Sequence, residues 1–187
     1  GERGPVAYNR GMRILTRAVA VGVLLAGILC PAPAPARTLE RGNGPEPSTL
    51  DPHRCPEVAC ANVLRDLFEG LVAEDGAGNL VPGLAERWEV SADGRTWTFH
   101  LREGLRWSNG EPLDAGQVLA SLRRAFEPAT AAPFAAHLDA IEHAGAVQRG
   151  ERPPGELGVS APDARTLVFR LTRSADLPRL LTLPIAY

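Results

Sequence analysis

Cys55 and Cys60 stand five residues apart, with His53 two positions before the first of them, and they crowd thiol and imidazole chemistry into one short stretch. Two chemistries are open to such a group. In an oxidising compartment the two cysteines can close a small disulfide, provided their Cα atoms come within about 7 Å. Read as a metal cluster, His53, Cys55 and Cys60 fall short of the four ligands of a structural zinc site, and no further residue has suitable spacing. Catalytic patterns are absent: the sequence has no Gly-x-Ser-x-Gly elbow, no phosphate loop and no His-Glu-x-x-His helix. Glu69, Glu74 and Asp75 supply carboxylates, yet no pattern pairs them in a site, and His137 and His143, six apart, fit one helical face poorly. No enzyme, resident metal or cofactor is expected from these residues.

The elements that must hold these groups can be read from periodicity. Apolar residues at Val58, Ala61, Leu64, Leu67, Phe68 and Leu71 have helical spacing, and Gly70 suits a left-handed closing residue. A turn cluster at Asp75-Gly76-Ala77-Gly78 follows. Trp88–Val90, the Asp93-Gly94 turn and Thr96–Leu101 predict a hairpin, and a further short strand is expected over Leu105–Trp107. Asp114 with Gln117 three residues on is a capping box. It opens a helix whose buried stripe would be Val118, Leu119, Leu122, Ala125 and Phe126, and Pro128 stops it. Ala129–Pro154 predicts one or two short helices; Leu157–Ser160 and Thr166–Leu171 predict a second strand pair around Pro162-Asp163-Ala164. Strands, helix and strands again indicate an α+β class. Trp88, Trp97 and Trp107 are expected in the core.

With 44% apolar and 22% charged residues in a chain of 187, the composition is that of a globular protein. A net charge of −2, with all 20 basic residues arginine, gives no basic face for nucleic acid. The first 36 residues predict export. Arg10, Arg13 and Arg17 precede an apolar run, Ala18–Leu29, too short for the roughly 20 residues of a membrane-spanning helix. Ala34-Pro35-Ala36 offers a signal-peptidase site, with Arg37 as the mature N-terminus and Met12 as the start. Cys30, preceded by Leu29, is a weaker reading as a lipid-attachment site. An exported protein favours the disulfide for Cys55 and Cys60. Thr38–Gly42 has the character of a first strand, and the apolar run Leu177–Tyr187 ends without a cap, so the chain is expected to be the N-terminal part of something longer.

Several segments carry a family pattern in order along Arg37–Tyr187. They are Leu50-Asp51-Pro52-His53, Arg65-Asp66-Leu67-Phe68-Glu69-Gly70-Leu71, Pro82-Gly83-Leu84-Ala85-Glu86-Arg87-Trp88, Trp97-Thr98-Phe99-His100-Leu101-Arg102 and Trp107-Ser108-Asn109-Gly110, completed by Leu157-Gly158-Val159 and Asp163-Ala164-Arg165-Thr166-Leu167. Together they resemble the family 5 extracellular solute-binding proteins, and the oligopeptide-binding branch in particular. The resemblance implies a periplasmic-binding-protein-like fold of type II, two lobes closing over a peptide, with an extra α+β domain. Residues 37–68 would begin the first lobe and 69–187 would form most of the additional domain. It implies a periplasmic, monomeric, non-enzymatic receptor that hands oligopeptides to the inner-membrane permease of an ABC transporter.

In that family the segment after Leu-Asp-Pro-His gives main-chain contacts to the peptide. By position this places Pro56, Glu57 and Val58 beside the ligand, Val58 foremost. Phe134 stands where the nearest relatives have a ligand-touching tyrosine, so a hydroxyl is lost, and Pro56 stands where they have an acidic side chain. Val58 and Phe134 are equally open to a plain core reading. Asp51 is expected to bond nearby backbone amides. Three rivals stay in play: a same-family receptor for dipeptides, nickel complexes or another small solute, a secreted hydrolase with its site elsewhere, and a truncated product without function.

Overall fold

Alternating side chains along one strand set the central sheet. The computed structural model describes residues Gly42–Tyr187, and Asn43–Tyr187 fold as one unit. The signal segment expected over 1–36, Cys30 and the first strand up to residue 41 lie outside the described residues. Strand β1 (Val72–Glu74) pairs with β2 (Leu80–Pro82) around the Asp75 turn. Strands β3 (Ala85–Val90), β4 (Thr96–Leu101), β5 (Val159–Asp163) and β6 (Thr166–Arg170) make a wholly antiparallel sheet in the order β3-β4-β6-β5.

In β4, Trp97 and Phe99 lie opposite Phe169 and Leu167 of β6, so these side chains share the inner face. Phe99 sits at their centre, edge-on to Phe169 at 5.4 Å and with Trp88 and Trp97 at 6.1 and 6.4 Å. The β3–β4 turn is closed by Gly94 at φ +70°, a conformation that favours glycine.

Two of the chain's helices matter for the site. Helix α1 spans Val58–Leu67, and helix α2 spans Ala115–Phe126 and packs on the inner face of the sheet. The α2 capping box is complete: Gln117 N donates to Asp114 Oδ1 at 3.0 Å, and the Gln117 side chain returns to Asp114 N at 3.2 Å. Val118, Leu119, Leu122, Ala125 and Phe126 are all buried, as the periodicity predicts. Each of the larger ones contributes about 1.5–3 kcal/mol by leaving water. Short turns fill the region after Pro128, with α3 (Ala144–Gln148), and α4 (Leu177–Leu180) precedes a final turn, Pro184–Ala186. Among the described residues no helix is long and apolar enough to cross a membrane.

Three expectations change. Leu105–Trp107 is not a strand; it keeps a single bridge, Arg106 with Pro112, inside a tight loop. Trp107 is 44% exposed rather than core, because its indole N–H turns outward to Gln117 Oε1 at 3.1 Å. Gly70 is not a left-handed cap. Helix α1 ends at Leu67 and Phe68 turns extended, while Gly70 lies against the Tyr187 ring, where a Cβ would stand 3.0 Å from Cε1. The glycine is needed there for close approach rather than for its φ.

Candidate functional site

The loop before α1 is anchored by charge. Asp51 caps the turn Pro52–Arg54 by accepting from His53 N at 3.1 Å, the backbone bond expected of it. Arg124, near the end of α2, grips the same carboxylate with both terminal nitrogens, at 2.9 Å to Oδ1 and 2.5 Å to Oδ2. The Arg124 hydrogen bonds hold the Asp51 carboxyl down at about 2, against an opposing push from partial burial.

His53 is buried beside this pair, with Arg124 Nη1 at 2.7 Å from its Nδ1. A guanidinium can only donate, so Nδ1 is the acceptor and the proton of the neutral ring sits on Nε2. That nitrogen faces Ser121 Oγ at 3.3 Å, and the Ser121 hydroxyl donates to Tyr187 O at 2.8 Å. Burial first, and the Arg124 charge second, lower the His53 pKa, which favours this neutral form. Arg54 adds a bond from Nη2 to Ala129 O at 3.0 Å.

From this anchored turn the chain enters α1 through a six-residue covalent ring. Cys55 and Cys60 are joined as a disulfide with Cα atoms 5.8 Å apart. The bond is buried, and with Leu64 it forms a small apolar cluster apart from the main core. Between the half-cystines, Glu57 turns its carboxylate back to Ser48, accepting from N at 2.8 Å and from Oγ at 3.0 Å. Ala59 O accepts from Asn43 Nδ2 at 2.9 Å.

These tethers decide which side of α1 faces in. Ala59, Cys60 and Leu64 are buried, whereas Val58 is 72% exposed and Leu67 61%. The apolar stripe expected from periodicity is therefore split: Leu64 and Leu71 are buried and Ala61 half-buried, while Val58, Leu67 and Phe68 face outward. Pro56 and Val58 project from the ring into solvent, and the first-turn N–H groups of α1 have no intrahelical acceptor. A surface of this kind can offer main-chain donors and a small apolar contact; it holds no nucleophile. With both sulfurs bonded to each other and His53 engaged by Arg124, no metal cluster remains among the described residues.

The structure keeps Pro56, Glu57 and Val58 together on the ring. Phe134 belongs elsewhere: it is half-buried, packs against the main core and meets His137 edge-on at 5.4 Å. Sequence reasoning missed Arg124, Ser121 and Ser48, which hold the segment from as far as 73 residues away. A sequence-level signal existed only for Asp51, through its place before Pro52.

Comparison with known proteins gives this geometry a setting. The family profile described as bacterial extracellular solute-binding proteins, family 5 Middle, matches residues 79–187. The periplasmic oligopeptide-binding protein OppA of Haemophilus influenzae is 46% identical over 132 residues, covering 70% of this chain and 24% of its own length. The probable deoxycholate-binding periplasmic protein YgiS of Escherichia coli is 44% identical over 140 residues, 74% of this chain and 26% of its own. The crystal structure of Haemophilus influenzae OppA in complex with RPPGFSPFR superposes with a TM-score of 0.74 at 43% identity, over 77% of this chain and 29% of that one. The chain thus spans about a quarter of the length of the curated relatives it matches. Its mixed sheet-and-helix unit is part of a type II periplasmic-binding-protein fold. On the match over more than half its length, this chain belongs to the bacterial extracellular solute-binding proteins of family 5.

Proposed function

We propose that this chain is the N-terminal part of a periplasmic receptor that binds oligopeptides and delivers them to the inner-membrane permease of an ABC importer. The observation that carries the reading is the likeness to a peptide-bound OppA, at 43% identity and a TM-score of 0.74. The tethered ring supports it in kind, because its braced backbone leaves Pro56 and Val58 turned outward in this part of the protein. An extended peptide can be held by main-chain hydrogen bonds while its side chains vary. Pro56, Glu57 and Val58 would supply such contacts, and Phe134 would touch the ligand from the neighbouring region. In the same reading 1–36 directs export and is cleaved, 37–68 begins the first lobe, 69–187 forms the additional domain, and the receptor acts as a monomer without catalysis.

A second reading has a specific observation behind it. YgiS, named a probable deoxycholate-binding protein, is 44% identical to this chain, so a non-peptide solute is the alternative ligand class. Native mass spectrometry of the full-length protein, purified from the exported fraction without added ligand, separates the two. A mixture of peptide-sized adducts removed by denaturation supports the peptide receptor. A single small-molecule adduct, with no uptake of added peptides, would replace it by the second reading.

A further inference from the structure

The ring that opens α1 is held far more firmly than its place at the surface requires. It is closed by the Cys55–Cys60 bond, tied through Glu57 to Ser48 and through Ala59 O to Asn43, and preceded by the Asp51–Arg124 anchor. Its sulfurs are buried with Leu64, with Ala61 and Tyr187 packed against them, in a cluster apart from the main core. Both sulfurs also lie close to the Glu57 carbonyl oxygen, at 3.3 Å for Cys55 and 3.0 Å for Cys60. The bond therefore braces the backbone of Glu57 directly, while Pro56 and Val58 remain outside in solvent.

We propose that the Cys55–Cys60 disulfide is a positioning element for ligand binding: it sets the main-chain conformation of Glu57 and Val58 before the ligand arrives. This rests on the reading that the segment contacts peptide. Ordering a mobile loop on association subtracts from affinity, and a loop ordered in advance avoids that loss. Six residues closed by a covalent bond, with a proline inside, have few other conformations to lose.

The test uses the full-length protein and the nonapeptide RPPGFSPFR as probe. Isothermal titration compares the wild type with the Cys55→Ser/Cys60→Ser double variant, which removes the covalent link while keeping side chains of similar size. The expected result is a Kd raised about tenfold in the variant, carried by a less favourable binding entropy. A Kd within about twofold of wild type in a folded variant would overturn the proposal. Should the variant not fold, hydrogen exchange of the Val58–Ala61 amides in the wild type decides. Slow exchange without ligand upholds preorganisation; fast exchange that slows only with peptide overturns it. A wild type that binds no peptide removes the functional reading itself, and that outcome appears before any substitution is made.

Discussion

Arg124 holds Asp51 through two parallel bonds, 2.9 and 2.5 Å, across 73 residues of sequence, and so fastens the loop before α1 to the end of α2. The loop has little apolar surface of its own to bury: His53 and Cys55 are its buried members. A forked, charge-assisted pair fixes direction as well as distance, which a greasy contact would not do.

Removing that charge should therefore loosen the loop in a pH-dependent way. The folded Asp51 carboxyl titrates at about 2, below its ordinary 3.8. A depressed folded pKa means the stabilisation is complete above the unfolded value and is lost as pH falls through the folded one. Asp51→Asn is expected to cost about 1 kcal/mol at neutral pH, since both partners keep some contact with solvent that screens the pair. Urea unfolding should show the gap between variant and wild type closing as pH falls from about 4 towards 2. A gap that stays constant would reject the ion pair as its source.

His53 adds a second, separate pH dependence. Its folded pKa lies below the ordinary 6.5, because burial and the Arg124 charge both oppose a proton on the ring. The groups around it are Asp51, Arg124, Ser121 and the Tyr187 carbonyl; Asp51 and the Tyr187 carbonyl favour the charged form but are outweighed by burial and Arg124. The unfolded chain takes up the proton first as pH drops below 6.5, so stability declines from there towards the folded pKa. NMR titration of the His53 ring should give a midpoint below 6.5. His53→Asn, which keeps an acceptor for Arg124, should flatten the stability profile just below pH 6.5; an unchanged slope there would assign it to other groups.

Capping of α2 can be tested without touching the core. Asp114→Ala removes the acceptor for Gln117 N and should destabilise the fold by about 1 kcal/mol. Phe99→Ala, at the centre of the aromatic group, should cost about 3–5 kcal/mol by opening a cavity. Denaturant midpoints measured side by side check the ranking, and equal costs would contradict it.

Legibility in the sequence followed the range of the interactions. The α2 capping box, its buried stripe and the β3–β4 hairpin are local patterns, and each stands in the structure as spacing implies. Helix α1 was legible as a helix but not in its facing. Periodicity named one stripe, of which Leu64 is buried but Val58 and Leu67 face outward, while the Cys55–Cys60 bond and Tyr187 pack around Leu64. Gly70 misled for the same reason: a glycine needed for close approach looks in sequence like one needed for a turn. Pro56, Glu57 and Val58 were marked through family likeness alone, and nothing in their own types announces that they stand on a braced ring. Arg124 gave no sign, since the sequence has 20 basic residues, every one an arginine, and its partner lies 73 positions away.

Val58 offers the sharpest separation of function from stability. Within this chain it is 72% exposed at the first position of α1, so it packs on little of the part described. An aspartate there would sit at the positive end of the helix dipole, which favours it by about 0.3–1 kcal/mol. Val58→Asp is therefore expected to leave the unfolding midpoint unchanged or slightly raised. If the segment meets the peptide, the same change places an unpaired carboxylate in a desolvated contact, and affinity should fall at least about tenfold. Titration with RPPGFSPFR and a denaturant curve on the same preparation give both readings. Loss of affinity with stability kept would put Val58 at the ligand. Affinity kept with stability lost would return Val58 to a structural role and move the binding surface away from the ring.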